Sequence, residues 1–249
     1  MKGPRTVKPD VRVFPDADTL GLRAAEAVAE TINAAVRSTG RCFLVLSGGS
    51  TPRILYGVLA SQFRDQIPWE RVHLFWGDER YVAQTDAHSN YRMAAAALLD
   101  HVPCPAANVH PMPTHLTAAD AAAREYEATL RRYFSSESPR FDLVLLGLGT
   151  EGHTASLFPG SSALAERTRW VVAVTVPAEP PVRLTLTLPA LTGSAHTYVL
   201  VTGADKARAL HDVLAGNADP NTCPAAGVRR AQGSVIWWVD REAAAYLSD

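Results

Sequence analysis

Residues 141–160 read F-D-L-V-L-L-G-L-G-T-E-G-H-T-A-S-L-F-P-G. The apolar run Leu143–Leu146 has the composition of a strand buried on both faces of a parallel sheet. Gly147, Gly149 and Gly152 follow, and His153 stands directly after the last of them. A strand that ends in a glycine-rich turn is where open α/β sheets place ligand chemistry. In this stretch only His153 titrates near neutral pH unaided. The other motifs matter according to whether they converge on that imidazole.

A second strand–turn unit lies upstream. Cys42–Leu46 is another continuous apolar run, Ser47-Gly48-Gly49-Ser50-Thr51-Pro52 follows it, and Ile54–Ala60 has helical spacing. Thr51 suits the N-cap and Pro52 the first helical position. Glycines free the backbone N–H groups and the helix start aims them, which is the physical recipe for a phosphate cradle.

Other segments alternate in the same way. Val11–Phe14, Val72–Trp76, Trp170–Val176, His196–Val201 and Ser234–Val239 read as strands. Asp18–Val36 carries Leu20, Ala24, Val28, Ile32 and Val36 on one helical face, and Gly40 is its expected stop. Arg92–Leu99 is an alanine-rich helix, Ala118–Tyr133 a surface-like one, and a further helix runs from Lys206 to about Leu214. Pro103–Pro113 and Pro177–Pro181 are proline-dotted connections, and Arg183–Leu188 alternates threonine with leucine. Strands alternating with helices predict an α/β fold with a mainly parallel sheet flanked by helices. No repeat or long linker divides residues 1–249, so a single domain is expected, with an excursion around residues 101–135.

Composition bounds the function. A formal charge of −1, with 47% apolar and 20% charged residues, fits a globular protein without general affinity for polyanions. Any anion site must therefore be local. Cys42, Cys104 and Cys223 form no C-x-x-C pair, which argues against a disulfide framework or a zinc cluster. The N-terminus lacks the apolar core of a secretory leader, and no apolar run approaches the ~18 residues that span a bilayer. A cytoplasmic protein, with no nucleic-acid or membrane partner, is expected. No histidine pair has metal-ligand spacing, so no metal site is expected.

Of two further motif matches, the first is rejected and the second is weakened on chemistry. Gly147-x-Gly149-x-x-Gly152 has the form of a dinucleotide fingerprint, but Phe158-Pro159-Gly160 stops any helix after about two turns. Gly48-Gly49-Ser50-Thr51-Pro52 approaches the nucleophile elbow G-x-S-x-G, with Asp78 and His153 following in hydrolase order. Its last glycine is replaced by Pro52, so the glycine that packs the elbow against its strand is missing.

Charged residues at strand ends complete the picture. Asp78-Glu79-Arg80 follows Val72–Trp76, and Arg80 has the geometry for a bidentate phosphate contact. Lys206 follows His196–Val201 and could add a point charge.

Taken as a set, these motifs resemble the 6-phosphogluconolactonase family, within the glucosamine-6-phosphate isomerase/deaminase-like fold group. The carrying residues are Ser47–Pro52, G-D-E-R (Gly77–Arg80), Ser89-Asn90-Tyr91, Gly147–Gly160, R-L-T-L-T-L-P (Arg183–Pro189), G-A-D-K (Gly203–Lys206) and P-A-A-G-V-R (Pro224–Arg229). They span nearly the whole chain in family order, and H-T-A-S-L-F-P is the most specific of them. The resemblance implies a single-domain modified Rossmann-like fold, no cofactor, and hydrolysis of 6-phospho-D-glucono-1,5-lactone to 6-phosphogluconate in the oxidative pentose phosphate pathway.

By the same matching Ser47–Pro52, Arg80 and Lys206 correspond to residues around the sugar phosphate and His153 to the family's catalytic histidine, so His153, Glu151 and Arg80 are the expected catalytic group. Ser47, Gly48, Gly49, Ser50, Thr51, Asp78, Asn90, Gly149, Arg183 and Lys206 hold the substrate and its phosphate. The expected partner is a small sugar-phosphate lactone, and the expected state a monomer or weak homodimer. One departure stands out: the family usually has aspartate before Gly-His, and here Glu151 adds a methylene to the stem. Three rival functions use overlapping residues. A sugar-phosphate isomerase or deaminase would use Asp78 as base, but would call for an F-N-E-P-like segment where Leu157-Phe158-Pro159-Gly160 stands. A non-catalytic sugar-phosphate sensor would need only the cradle, and a serine esterase would use Ser50.

Overall fold

Strand β1 (Asp10–Phe14) leads into α1 (Ala17–Thr39), β2 (Cys42–Leu46) and α2 (Ser50–Gln62). Then come β3 (Val72–Trp76), β4 (Asp78–Arg80), α3 (Asn90–Ala97), β5 (Val109–His110) and α4 (Ala119–Arg131). Next are β6 (Leu143–Gly147), β7 (Val171–Thr175), β8 (Val182–Leu186) and α5 (Leu188–Thr192). The last elements are β9 (His196–Val201), α6 (Ala207–Leu214) and β10 (Ser234–Asp240). The structure, a computed structural model, describes residues 9–215 and 218–247. The reading of the first eight residues as lacking a leader core lies outside them. Among the described residues no helix is long and apolar enough to cross a membrane.

Seven strands form one parallel sheet in the order β1-β10-β9-β6-β2-β3-β5. From β2 the chain steps to β3 and β5 on one side, then returns to lay β6, β9 and β10 on the other. The strand order reverses at the β2–β6 seam, and a crevice opens at the carboxyl ends of strands flanking such a reversal. The two glycine turns leave the sheet at that seam.

Local sequence accounts for these elements. Asp16 caps α1 by accepting from the Thr19 backbone N–H at 2.7 Å, and Gly40 closes it in the left-handed region at φ 80°. Leu20, Ala24, Val28 and Ile32 are all fully buried, as their spacing predicts. Every residue of β2 is buried. All five tryptophans lie in the core. Helix α4 departs from its surface-like reading: Ala122, Ala123, Tyr126, Glu127 and Leu130 are buried, facing β7 and β8. Glu127 is tolerated there because Arg131 and Arg169 pair with it at 2.7 and 2.6 Å.

A second, antiparallel sheet, β4-β8-β7, departs from the single, mainly parallel sheet that the sequence predicts. Gly77 is its junction with the first. Its N–H donates to the Leu46 carbonyl of β2, and its carbonyl accepts the Leu186 N–H of β8. Val171–Thr175 therefore pairs in this smaller sheet rather than in the parallel one. The proline-dotted stretch 103–113 contains the short strand β5.

Candidate active site

The two glycine turns meet in a cleft of about 240 Å³. Eleven of the thirteen residues expected at the site line it: Ser47, Gly48, Gly49, Ser50, Thr51, Asp78, Arg80, Asn90, Gly149, His153 and Lys206. The other two, Glu151 and Arg183, stand outside the lining.

The first wall is the turn from β2 into α2. The helix begins at Ser50 with Gly49 as its cap residue, so Thr51 is not the N-cap and Pro52 is the third helical residue. Pro52 has no N–H, and the Arg53 N–H already donates to the Gly49 carbonyl. The Ser47 N–H is also taken: it donates to the Tyr56 hydroxyl at 2.9 Å, and that hydroxyl donates back to the Ser47 carbonyl. Ser47 can therefore serve a ligand only through its hydroxyl. The Thr51 hydroxyl pairs at 2.7 Å with Thr202, a cleft residue at the end of β9 that sequence reading missed.

The second wall is the strand β4. Successive side chains of a strand face opposite ways. Asp78 and Arg80 line the cleft, while Glu79 is turned away and buried. Asp78 accepts from the Ser156 hydroxyl at 2.6 Å, a contact made by the fourth residue of H-T-A-S. Arg80 donates through Nη1 to the His88 carbonyl at 2.6 Å, while its buried Nε has no partner among the described residues. Asn90 donates to the Asp78 carbonyl at 3.0 Å and lies directly over Gly48. A Cβ at residue 48 would occupy the space of the Asn90 amide, so the turn needs glycine for close approach.

Arg183 stands just outside the lining. It sits opposite Arg80 across β4 and β8, but its Nε donates to the Pro180 carbonyl at 2.6 Å. Burial and the neighbouring Arg80 both lower its pKa. It braces the β7–β8 connection behind the cleft lining, on the same face of the small sheet as Arg80.

The third wall is the loop after β6. Gly149 and His153 close it on themselves, the Gly149 N–H donating to the His153 carbonyl at 2.8 Å. The Thr154 hydroxyl ties it back to the Gly147 carbonyl at 2.8 Å. The imidazole packs against Phe158 on one side and over the Gly149 α-carbon on the other. Its Nδ1 is buried and lies 3.0 Å from Glu151 Oε2. The carboxylate is out of line with the ring N–H, so the pair is electrostatic and not a formed hydrogen bond. Partial burial raises the Glu151 pKa, but its own backbone N–H and His153 outweigh that and hold it below its ordinary value.

The fourth wall is Lys206, in a one-turn segment after β9. Its Nζ lies 3.1 Å from Asp205 Oδ2. Asp205 is 63% exposed, so this is a weak surface pair that leaves the ammonium free to meet an anion. Two cations, Arg80 and Lys206, thus face the cleft against one carboxylate, Asp78. Ser50 makes no hydrogen bond to His153 among the described contacts, which leaves the esterase reading without an activated nucleophile.

A family model described as glucosamine-6-phosphate isomerases/6-phosphogluconolactonase matches residues 15–237. The chain is 44% identical to the 6-phosphogluconolactonase of Mycobacterium tuberculosis over 244 residues, covering 95% of this chain and 98% of that one. It is 42% identical to the 6-phosphogluconolactonase of Synechocystis, over 94% of this chain and 97% of that one. The solved 6-phosphogluconolactonase of Trypanosoma cruzi superimposes with a TM-score of 0.87 at 30% identity, covering all of both chains.

Proposed function

This chain belongs to the glucosamine-6-phosphate isomerase/6-phosphogluconolactonase family, and on that premise we propose that its cleft hydrolyses 6-phospho-D-glucono-1,5-lactone to 6-phosphogluconate. Hydrolysis of this lactone is the lactonase step of the pentose phosphate pathway, and the near full-length relatives support that assignment.

One observation carries the reading. A partly exposed imidazole shares a cleft of about 240 Å³ with a helix-start glycine turn and two cations, a volume suited to a six-carbon acid and its phosphate. The phosphate sits at Ser47–Pro52 with Lys206 and Arg80. Backbone donors and the start of α2 hold its negative charge, and the ammonium and guanidinium neutralise it.

At the other end His153 acts as general base. With Nδ1 buried against Glu151, Nε2 is the nitrogen left to take a proton from water. That water attacks C1, and the new C–O bond makes a tetrahedral oxyanion. Backbone N–H groups of the glycine turn after β6 are its candidate donors. The bond from C1 to the ring oxygen then breaks, and the imidazolium returns its proton to that oxygen. Glu151 stabilises the imidazolium between the two transfers. General-base help of this kind is worth about 10²–10⁴-fold. Binding of the remote phosphate holds the carbonyl against the base.

A coupled assay with lactone freshly generated from glucose 6-phosphate, corrected for spontaneous opening, tests the proposal. Product formation well above the uncatalysed rate is expected. Ammonia release from glucosamine 6-phosphate with no lactone turnover would transfer the chain to the deaminase branch of the family.

A further inference from the structure

Glu79 lies between two residues that face the cleft, yet it is 2% exposed. A carboxylate can be buried at this cost only when its lone pairs are met. Here all of them are. Oε1 accepts the Arg80 N–H at 2.8 Å and the Asn90 N–H at 2.7 Å. Oε2 accepts the Tyr91 N–H at 2.7 Å and the Ser89 hydroxyl at 3.1 Å. Ser89 in turn accepts the Arg92 N–H at 3.1 Å, so one acid and the cap it holds close the open end of α3.

These contacts reach the cleft through single residues. Asn90, fixed at its backbone by Glu79, spends its side chain on the Asp78 carbonyl and covers Gly48. Arg80 has its backbone N–H held by the same carboxylate. We propose that Glu79 is a positioning residue: it fixes Asn90 and the Arg80 backbone against the glycine turn, and so sets the shape of the anion grip without touching the ligand. This rests on the cleft being the sugar-phosphate site described above.

A purely structural acid would affect stability and leave ligand affinity alone. The test compares KM and kcat for the lactone in Glu79→Gln, Asn90→Ala and the double variant, beside calorimetric titration with inorganic phosphate. Glu79→Gln turns an NH₂ group towards donors. We expect KM to rise about ten- to hundredfold, the scale of a lost hydrogen bond to a charged group, with a smaller change in kcat and weaker phosphate binding. The part of the effect that passes through Asn90 is already lost in Asn90→Ala, so the double variant should fall short of the sum of the two single effects.

Should Glu79→Gln fail to fold, Ser89→Ala removes one of the four contacts and should move KM and phosphate affinity the same way by less. A folded Glu79→Gln with wild-type KM and phosphate affinity, or fully additive effects in the double variant, overturns the inference. A wild-type protein that binds phosphate but turns over no lactone defeats the functional reading, and the phosphate titration still decides the role of Glu79.

Discussion

The imidazole of His153 lies almost flat on the ring of Phe158, with centroids 4.0 Å apart and planes 16° apart. With Gly149 beneath its other face, the ring is held in one plane, as the proposed base must be to meet a water from one direction. His153→Ala should lower kcat by about 10²–10⁴-fold while KM changes little, because the phosphate grip is untouched. Steady-state kinetics on fresh lactone measures both. Near-normal turnover would remove the imidazole from the chemistry.

Gly149→Ala tests the same packing from below. An added Cβ would fall within the space of the His153 ring, and the ring is the part that must yield. We expect a folded protein with most of its turnover lost. Unchanged kcat alongside an unchanged circular dichroism spectrum would show that the ring position is not demanding.

Lys206→Ala removes a cation from the cleft without disturbing a core. KM should rise by about tenfold or more, since a charge-assisted contact to phosphate is worth roughly 1.5–3 kcal/mol, and kcat should change less. Competition by inorganic phosphate should weaken in parallel. A wild-type KM would place the phosphate away from this lysine.

Tyr56→Phe leaves both polar groups of the Ser47 peptide without their buried partner. Unmet buried groups cost about 1–3 kcal/mol, so urea denaturation should show a loss of that size. KM should rise as well, because the first turn of the cradle loses its lock. A stability loss with an unmoved KM would separate the turn from the ligand.

His73 and His110 give the fold a defined response to acid. Their facing nitrogens are 3.2 Å apart, and burial lowers both pKa values, His110 from 6.5 to about 4. The unfolded chain therefore binds protons that the folded one refuses. The neutral pair's full stability is present above pH 6.5 and is lost as pH falls from there towards about 4. Urea unfolding at pH 7 and pH 5 should show a drop that His110→Phe reduces. An equal drop in the variant would assign the acid response to other groups.

Much of this architecture is legible in the chain because it is written locally. The apolar runs Cys42–Leu46 and Leu143–Leu146, each followed by glycines, announce buried parallel strands whose turns meet, and the alternation of elements does the rest. What stayed hidden depends on distant partners. Nothing near Asp78–Arg80 shows that these residues leave the parallel sheet, because their partner strand lies about a hundred residues further on, at Val182–Leu186. That pairing decides which way Arg183 turns and why Glu79 faces inward. Thr51-Pro52 has good capping chemistry and points to a start of α2 two residues late, because Gly49 is the residue that leads the helix. Thr202 and Tyr56 carry no motif, and only the approach of β9 and α2 to the first turn reveals them.

The seam between β2 and β6 divides labour as well as strands. In the proposed function the anion grip rides on the turn after β2 and the reactive imidazole on the loop after β6, each braced by its own neighbours: Tyr56 for one, Phe158 and the Thr154 tether for the other. Either loop can be rewritten while its counterpart keeps its footing. A scaffold divided this way can exchange its reaction for another and still recognise the same phosphorylated sugars.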